Sequence, residues 1–197
     1  EFLLRRCYPV EAGETILVHA AAGGVGSILV QWAKHLGAKV IATAGSEDKA
    51  ARARSLGADH VILYRDEDVA AEVRKITAGK GVPVAYDSVG AATFEGTLGS
   101  LARRGLFVSF GNASGPVPPF APSRLQMAGS LFFTRPTMGD YQATTAELDE
   151  SAAALFEVIK SGAVKIDIGQ TFPLAEARRA HEALEGRETV GASLLIP

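Results

Sequence analysis

The residues best suited to chemistry are the small ones of the segment Ala20–Gly26, AAAGGVG, which directly follows the apolar run Thr15–His19. Small side chains leave the backbone bare, so a phosphate group can approach main-chain N–H groups where a helix starts. A helix is predicted over Gly24–Leu36, because apolar side chains recur there at spacings of three and four. The order of strand, glycine turn and helix predicts a dinucleotide-binding turn. Its expected contact residues are Gly23, Gly24, Val25 and Gly26.

The match to the general dinucleotide fingerprint is imperfect. In the pattern G-x-G-x-x-G, the second and third glycines fall on Gly23 and Gly26, but the first position holds Ala21. A glycine-rich turn in an α/β protein also occurs for structural reasons alone. The turn therefore needs a second signal before a ligand can be assigned.

The end of the next predicted strand, Lys39–Thr43, supplies that signal. An NAD-selective site usually places a carboxylate here for the ribose 2′-hydroxyl, but Ala44 and Gly45 follow instead. Ser46 can cap the next helix and Lys49 lies one turn inside it, which together suit a 2′-phosphate. This pattern favours NADP(H) over NAD(H). The alternative is an ordinary helix start, in which Ser46 is only a cap and the two acidic residues after it face the helix dipole.

Composition restricts the class of protein. A chain of 197 residues with 47% hydrophobic content can form one compact α/β unit. The formal net charge of -2, without a basic run, argues against nucleic-acid binding, and the apolar stretch of about twenty residues that a membrane span needs is missing. We expect neither a membrane anchor nor a signal peptide. The single cysteine, Cys7, excludes an internal disulfide and a cysteine-based zinc cluster. We therefore predict a cytoplasmic protein.

Strand-like and helix-like segments alternate along the chain, which predicts a doubly wound, six-stranded parallel sheet of the Rossmann type with a C-terminal extension. The predicted strands are Thr15–His19, Lys39–Thr43, His60–Leu63, Val82–Tyr86, Leu106–Phe110 and Ser130–Thr134. The predicted helices between them are Gly24–Leu36, Asp48–Leu56, Val69–Thr77 and Thr93–Leu101. The extension contains predicted helices over Ala143–Lys160 and Leu174–Glu185 and a closing strand over Ala192–Ile196.

Three motifs in order carry a family resemblance: His19–Gly26, HAAAGGVG; Tyr86–Gly90, YDSVG; and Val108–Asn112, VSFGN. Together they resemble the zeta-crystallin-like quinone oxidoreductases, which form a zinc-independent branch of the medium-chain dehydrogenase/reductase superfamily. The tail, with Arg179–Glu185 and Gly191–Pro197, resembles the same group. The resemblance covers essentially the whole chain.

The resemblance implies NADPH-dependent reduction, by hydride or single electrons, of quinones or related activated double bonds. It implies no metal site and gives no catalytic side chain in this chain. The implied cofactor contacts are Gly24 and Val25 at the pyrophosphate; Gly45, Ser46, Lys49, Tyr64 and Arg187 at the 2′-phosphate and adenosine; Ser88 after the fourth strand; and Phe110, Gly111 and Asn112 toward the nicotinamide.

Several of these residues have a plain structural alternative. Tyr64 could be an exposed tyrosine at a strand end, Ser88 could belong to an ordinary turn, and Arg187 could pair with a neighbouring glutamate. The four histidines lack partners at metal-ligand spacing and are predicted to be structural. Phe2 occupies a position where related enzymes can carry a tyrosine.

The resemblance also implies an organisation. Residues 1–140 would form the NADP(H)-binding domain, and residues 141–197 would pack on a preceding substrate domain that full-length family members contain. The chain is then expected to be the cofactor-binding portion of a longer enzyme, with weak NADPH binding and little turnover by itself. The segment Ser130–Thr134 is expected to pair across a two-fold axis in a homodimer, the alternative being a buried last strand.

Two other functions stay open. The same fold could reduce enones or enoyl thioesters with NADPH, or the chain could be a non-catalytic NADPH-binding module. A methyltransferase is disfavoured, because the second strand ends without an acid for the ribose hydroxyls.

Overall fold

The computed structural model describes residues 1–186 and 188–197. Six parallel strands form one sheet in the order β3-β2-β1-β4-β5-β6, and two further strands form a small parallel sheet. The predicted doubly wound six-stranded sheet is therefore confirmed. The strands are β1 (Thr15–Val18), β2 (Lys39–Ala44), β3 (His60–Leu63), β4 (Val82–Asp87), β5 (Leu101–Ser109), β6 (Phe132–Thr134), β7 (Ile168–Pro173) and β8 (Ala192–Ile196).

Helices cover both faces of the large sheet. They are α1 (Gly24–His35), α2 (Glu47–Ser55), α3 (Val69–Ile76), α4 (Phe94–Ser100), α5 (Ser123–Met127), α6 (Met138–Tyr141), α7 (Thr145–Lys160) and α8 (Ala177–Glu185), with a π-helical turn at Leu3–Cys7 and a 3-10 turn at Leu174–Glu176. None of the helices within the described residues is long and apolar enough to span a membrane.

The core lies on both sides of the central strand β1. Ile16 and Val18 join a cluster that includes residues of α1, α2 and α7, whereas Leu17 joins the opposite cluster with α3 and α4. Successive strand residues point to opposite faces, so a continuously apolar strand is what a sheet covered on both faces requires. This packing fixes where β1 ends and α1 begins, and so positions the glycine turn.

Some boundaries differ from the predictions. β5 begins at Leu101 rather than Leu106, and it takes in the polar pair at 103–104, where Arg104 has a φ of 60°. The predicted strand over Ser130–Thr134 is shorter, Phe132–Thr134, because Ser130 lies in the left-handed region with a φ of 56°. Charged or left-handed residues interrupt the apolar alternation in these segments, so the sequence does not mark where the strands begin.

The C-terminal region contains an element that the sequence did not predict. The segment Ile168–Pro173, IGQTFP, forms β7 and pairs in parallel with β8. Its glycine and proline are poor strand formers, so its extended form depends on the ladder with β8 rather than on local preference. The predicted helix over Leu174–Glu185 is divided into the 3-10 turn and α8.

Asp59, which directly precedes β3, links α1 to the start of β2. Its carboxylate accepts hydrogen bonds of 2.9 Å from Lys34 Nζ and of 2.6 Å from the Val40 amide. Partial burial acts to raise the pKa of Asp59, but the bonds from Lys34 and Val40 outweigh it and the pKa is lowered. The ionised carboxylate thus stabilises the packing of α1 beside β2.

We expect Asp59→Asn to lower the free energy of unfolding by about 1 kcal/mol at neutral pH, because the ion pair with Lys34 is lost at a partly exposed site. A carboxyl whose pKa is lowered by folding stabilises above its unfolded pKa of about 3.9 and loses that contribution as the pH falls through its folded pKa. Urea unfolding at several pH values should therefore show the difference between the two proteins narrowing below about pH 4. Asp149→Asn, on the exposed side of α7, is the control and should change little; a pH-independent difference for Asp59→Asn would contradict the assignment.

Candidate functional site: a cleft at the carboxyl ends of the strands

The glycine turn after β1 is held by close backbone contacts. Ala20 has a φ of 49°, and a Cβ added to Gly26 would lie 2.3 Å from the Ala20 carbonyl oxygen. No side chain can fit there, so the first turn of α1 packs directly on the end of β1. Gly24 and Val25 begin the helix and are exposed, and amides in the first turn of a helix have no acceptor within the helix. The turn therefore presents bare N–H groups at the positive end of the α1 dipole.

The start of α2 forms the second part of the site. Ser46 is the N-cap residue, and its Oγ accepts a hydrogen bond of 3.4 Å from the Lys49 amide. A Cβ on Gly45 would lie 2.6 Å from the Tyr64 hydroxyl oxygen, so the absence of a side chain at Gly45 lets the Tyr64 ring lie against the backbone. The end of β2 carries Ala44 in place of a carboxylate. The end of β2 is therefore bordered by the donors of the α2 helix start and by the Tyr64 ring, and β2 itself ends without a carboxylate.

A cleft of about 470 Å³ brings most of these elements together. Of the predicted contact residues, Gly23, Gly45, Ser46, Lys49 and Tyr64 line it. Gly24, Val25 and Gly26 lie at the adjoining helix start, with Gly26 buried beneath it. Arg187 lies outside the described residues. The glycine turn and the start of α2 therefore open on one space, as a dinucleotide site at strand carboxyl ends requires.

Ser88, Gly111 and Asn112 lie in a second group at the ends of β4 and β5. A Cβ on Gly111 would lie 2.3 Å from the Ser88 carbonyl oxygen, so the two backbones are in direct contact. In the amide orientation that satisfies its neighbours, Asn112 donates to the Gly111 carbonyl (2.8 Å) and accepts from Arg135 Nη2 (3.3 Å). Arg135 also donates to the Ser109 carbonyl at 2.8 Å. Phe110, half-buried, follows β5 immediately.

This second group borders a separate cavity of about 360 Å³. Ser109, Asn112 and Arg135 supply its polar groups, and Phe120 and Phe133 are its aromatic walls, with ring centroids 5.4 Å apart. The arrangement offers one guanidinium among apolar surfaces. It suits a planar, partly polar molecule.

Residues outside the predicted contact set complete the first cleft. Val89 and Ala113 form its wall on the side of β4 and β5, and Arg65 and Thr189 also line it. Val89 lies within the YDSVG motif, which is the signal that could have revealed it. Thr189 lies far from the other lining residues in sequence, and it reaches the cleft because Gly191, two residues later, pairs with Gly23.

The tail reaches the glycine turn through Gly191. Gly191 pairs with Gly23 as an isolated parallel bridge, and its amide donates to the Ala22 carbonyl at 3.4 Å. Arg52 of α2 pairs with Asp167 at 2.6 Å and holds the start of β7 beside the same region. The C-terminal region is thus part of the rim of the cleft.

A buried polar network lies beneath the cleft and includes Asp87 and His19, which is predicted to be structural. Both side chains are fully buried. Asp87 accepts hydrogen bonds from the amides of Val89 (2.7 Å) and Gly90 (3.0 Å). Burial lowers the pKa of His19 despite the opposing charge of Asp87, so the imidazole is neutral near pH 7.

The described residues contain no group of three or more His, Cys, Asp or Glu side chains that could hold a metal ion. The groups that the site offers to a ligand are the first amides of α1, the cation of Lys49 and the aromatic ring of Tyr64.

Comparison with known proteins gives the family. The family model described as zinc-binding dehydrogenase matches residues 24–154. The chain is 54% identical to a quinone oxidoreductase of Salmonella typhimurium, with all of this chain and 61% of the relative covered. It is 44% identical to a 2-haloacrylate reductase of a Burkholderia species, with all of this chain and 60% of the relative covered.

A solved structure agrees in detail. The chain superimposes on the Escherichia coli quinone oxidoreductase complexed with NADPH with a TM-score of 0.97 at 51% identity, covering all of this chain and 61% of that one. The chain thus spans about three fifths of the length of the relatives it matches. With its parallel sheet, glycine turn and three ordered motifs, the chain belongs to the zinc-binding dehydrogenase family and, within the medium-chain dehydrogenase/reductase superfamily, to the zinc-independent quinone oxidoreductase branch.

Proposed function

We propose that this protein binds NADPH in the 470 Å³ cleft and serves in the reduction of quinones or similar electron-poor acceptors. The observation that carries the proposal is the end of β2, where Ala44 and Gly45 stand in place of a carboxylate and the Ser46–Lys49 helix start faces the cleft. A carboxylate would repel a 2′-phosphate, whereas a lysine and a helix N-terminus attract one. The selectivity for the phosphorylated cofactor thus comes from α2.

The residues present fit the other parts of NADPH. Gly26 lets α1 approach β1 so closely that its first amides can meet a diphosphate. Tyr64, packed on Gly45, offers a ring face to adenine or a hydroxyl to the phosphate. Phe110, Gly111 and Asn112 continue the same edge of the sheet toward the position of the nicotinamide. The NADPH complex of the Escherichia coli quinone oxidoreductase, on which this chain superimposes, supports this assignment.

When bound, NADPH would supply the hydride or the electrons, so the protein's task is to bind, orient and shield. The second cavity, with Phe120, Phe133 and Arg135, is where these side chains could contact a planar acceptor beside the cofactor. The names of the quinone oxidoreductase relatives support a quinone as that acceptor.

A second candidate substrate is an activated carbon–carbon double bond conjugated to a carboxylate. The 2-haloacrylate reductase relative supports it, and Arg135 at the second cavity could pair with such a carboxylate. Titration of 1,4-benzoquinone and of 2-chloroacrylate into the protein saturated with NADP⁺ distinguishes the two by binding, which does not depend on turnover. Binding of the acrylate alone would replace the quinone in the proposal.

We propose further that residues 1–140 act as the NADP(H)-binding domain and that the region 141–197 contacts a substrate domain. α7 packs on the large sheet through Val158, whereas β7 and β8 form a separate sheet with exposed apolar residues such as Ile168 and Leu195. A two-stranded sheet is marginally stable by itself, which favours additional strands from elsewhere. A cytoplasmic location is proposed on the single cysteine, Cys7.

We also propose a homodimer formed at the β6 edge. β6 pairs only with β5 among the described strands, and Phe132 on this edge is 61% exposed. An unpaired, apolar edge strand invites pairing with a second copy across a two-fold axis.

The cofactor assignment predicts that the protein binds NADPH about 10- to 100-fold more tightly than NADH, since a charge-assisted bond contributes about 1.5–3 kcal/mol. Calorimetric titration of both cofactors into Lys49→Ala should show most of that preference lost, with NADH affinity nearly unchanged. Lys160→Ala, an exposed lysine of α7, should retain the preference. Equal affinities in the unsubstituted protein would contradict the proposal.

The dimer proposal predicts that Phe132→Lys gives a monomer, because two lysines would face each other across the two-fold axis. Light scattering over a range of protein concentrations measures the mass. Phe156→Lys is a matched control, since Phe156 is 56% exposed on α7, away from the edge strand, and should remain dimeric. A monomeric unsubstituted protein at high concentration would refute the interface.

A further inference from the structure

The buried network beneath the cleft joins four elements of the fold. His19 follows β1, and its Nδ1 lies 3.0 Å from Thr43 Oγ1 of β2. Its Nε2 lies 2.9 Å from Thr97 Oγ1 of α4. Thr97 Oγ1 in turn lies 2.9 Å from Oδ2 of Asp87, the last residue of β4. All four side chains are fully buried.

The direction of these hydrogen bonds follows from the donors available. Thr97 Oγ1 contacts two atoms that only accept, Asp87 Oδ2 and the Thr93 carbonyl oxygen at 2.7 Å. Its one proton goes to one of them, so the contact with His19 requires His19 Nε2 to donate. A neutral imidazole has a single N–H, and Nδ1 must then accept from the Thr43 hydroxyl. The geometry therefore selects one tautomer of His19.

At the Asp87 end of the network, hydrogen bonds fix the turn that forms one wall of the cleft. Oδ1 of Asp87 accepts from the Val89 and Gly90 amides, and Oδ2 also accepts from Thr93 Oγ1 at 2.7 Å. The turn held in this way includes Val89, which lines the cleft. One carboxylate thus fixes both the turn and the N-terminus of α4.

The same turn carries the loop that follows β5. The Ser114 amide donates to the Val89 carbonyl at 2.8 Å, and the Ala113 amide donates to the Ser88 carbonyl at 3.2 Å. A Cβ on Gly90 would lie 2.3 Å from the Gly115 carbonyl oxygen, so turn and loop are in contact along their length. A shift of the turn would therefore move Ala113, a second wall residue of the cleft, together with Asn112.

We propose that the chain of hydrogen bonds from Thr43 through His19 and Thr97 to Asp87 positions the Val89–Gly90 turn for cofactor binding, with His19 fixed as its Nε2–H tautomer. The proposal rests on the proposed function, because the wall that the network positions is that of the NADPH cleft. His19, Thr97 and Asp87 are positioning residues here, since their side chains lie beneath the cleft and do not line it.

Nitrogen-15 NMR of the histidine rings tests the first half of the proposal without any substitution. His19 is fully buried and burial lowers its pKa, so its ring signals should stay constant as the pH falls through the ordinary range of histidine. We expect His19 to show a protonated Nε2 and an unprotonated Nδ1. A protonated Nδ1, or a His19 that titrates in this range, would refute the proposed hydrogen-bond directions.

Thr97→Val tests the second half, because it keeps the shape of the side chain but removes the link. His19 should switch to the Nδ1–H tautomer, which can donate to Thr43 Oγ1. The Val89 and Gly90 amides should exchange hydrogen faster, and the NADPH dissociation constant should rise about 2- to 30-fold, the range for substitutions within coupled networks. Thr97→Ser, which keeps the hydroxyl, should preserve the His19 tautomer, the slow exchange of the two amides and the NADPH affinity of the unsubstituted protein.

A matched control separates this effect from general destabilisation. Thr77 ends α3, and its Oγ1 bonds the Val73 carbonyl and the Gly81 amide away from the cleft. Thr77→Val should leave the His19 tautomer and NADPH affinity unchanged. If Thr97→Val switches the tautomer but leaves amide exchange and affinity as they were, the positioning role is refuted. If the unsubstituted protein binds no NADPH, the proposed function fails, while the tautomer and exchange results still decide whether the network holds the turn.

Discussion

The contact on which the site depends is the packing of Gly26 against the Ala20 carbonyl, where a Cβ would lie only 2.3 Å away. It brings the first turn of α1 onto the end of the central strand, and so places the positive end of the helix dipole at the carboxyl edge of the sheet. Any side chain at position 26 would push the helix outward. The amides that could meet a diphosphate would then no longer face the cleft.

Around that contact, backbone groups and side chains have different roles in cofactor binding. The backbone of the glycine turn provides charge complementarity without a side chain, whereas selectivity between cofactors falls to Ser46 and Lys49 on the neighbouring helix. Beneath them, the carboxylate of Asp87 accepts from two amides and lies within hydrogen-bond distance of two hydroxyls in the buried interior. Because a buried carboxylate is costly without such donors, this network also enforces a single arrangement of the turn.

The sequence predicted those parts of the molecule whose cause is local. The central strands are continuous apolar runs, and the turn after β1 is a pattern of small residues, so both could be recognised before any contact was known. β7 could not, since IGQTFP has no strand-like alternation and is extended only because β8 lies beside it. Likewise, His19 and Asp87 lie in the motifs His19–Gly26 and Tyr86–Gly90, but the sequence does not show that they belong to one hydrogen-bond network. The partners of His19, Thr43 and Thr97, lie 24 and 78 residues away from it, and no local pattern encodes such contacts.

A crystal structure of the protein with NADPH is the most direct test of the central claim. We expect the diphosphate to lie against the amides of Gly24–Gly26 and the 2′-phosphate between Ser46 and Lys49, with the Val89–Gly90 turn unmoved. NADPH bound away from the glycine turn, or with its 2′-phosphate distant from α2, would contradict it.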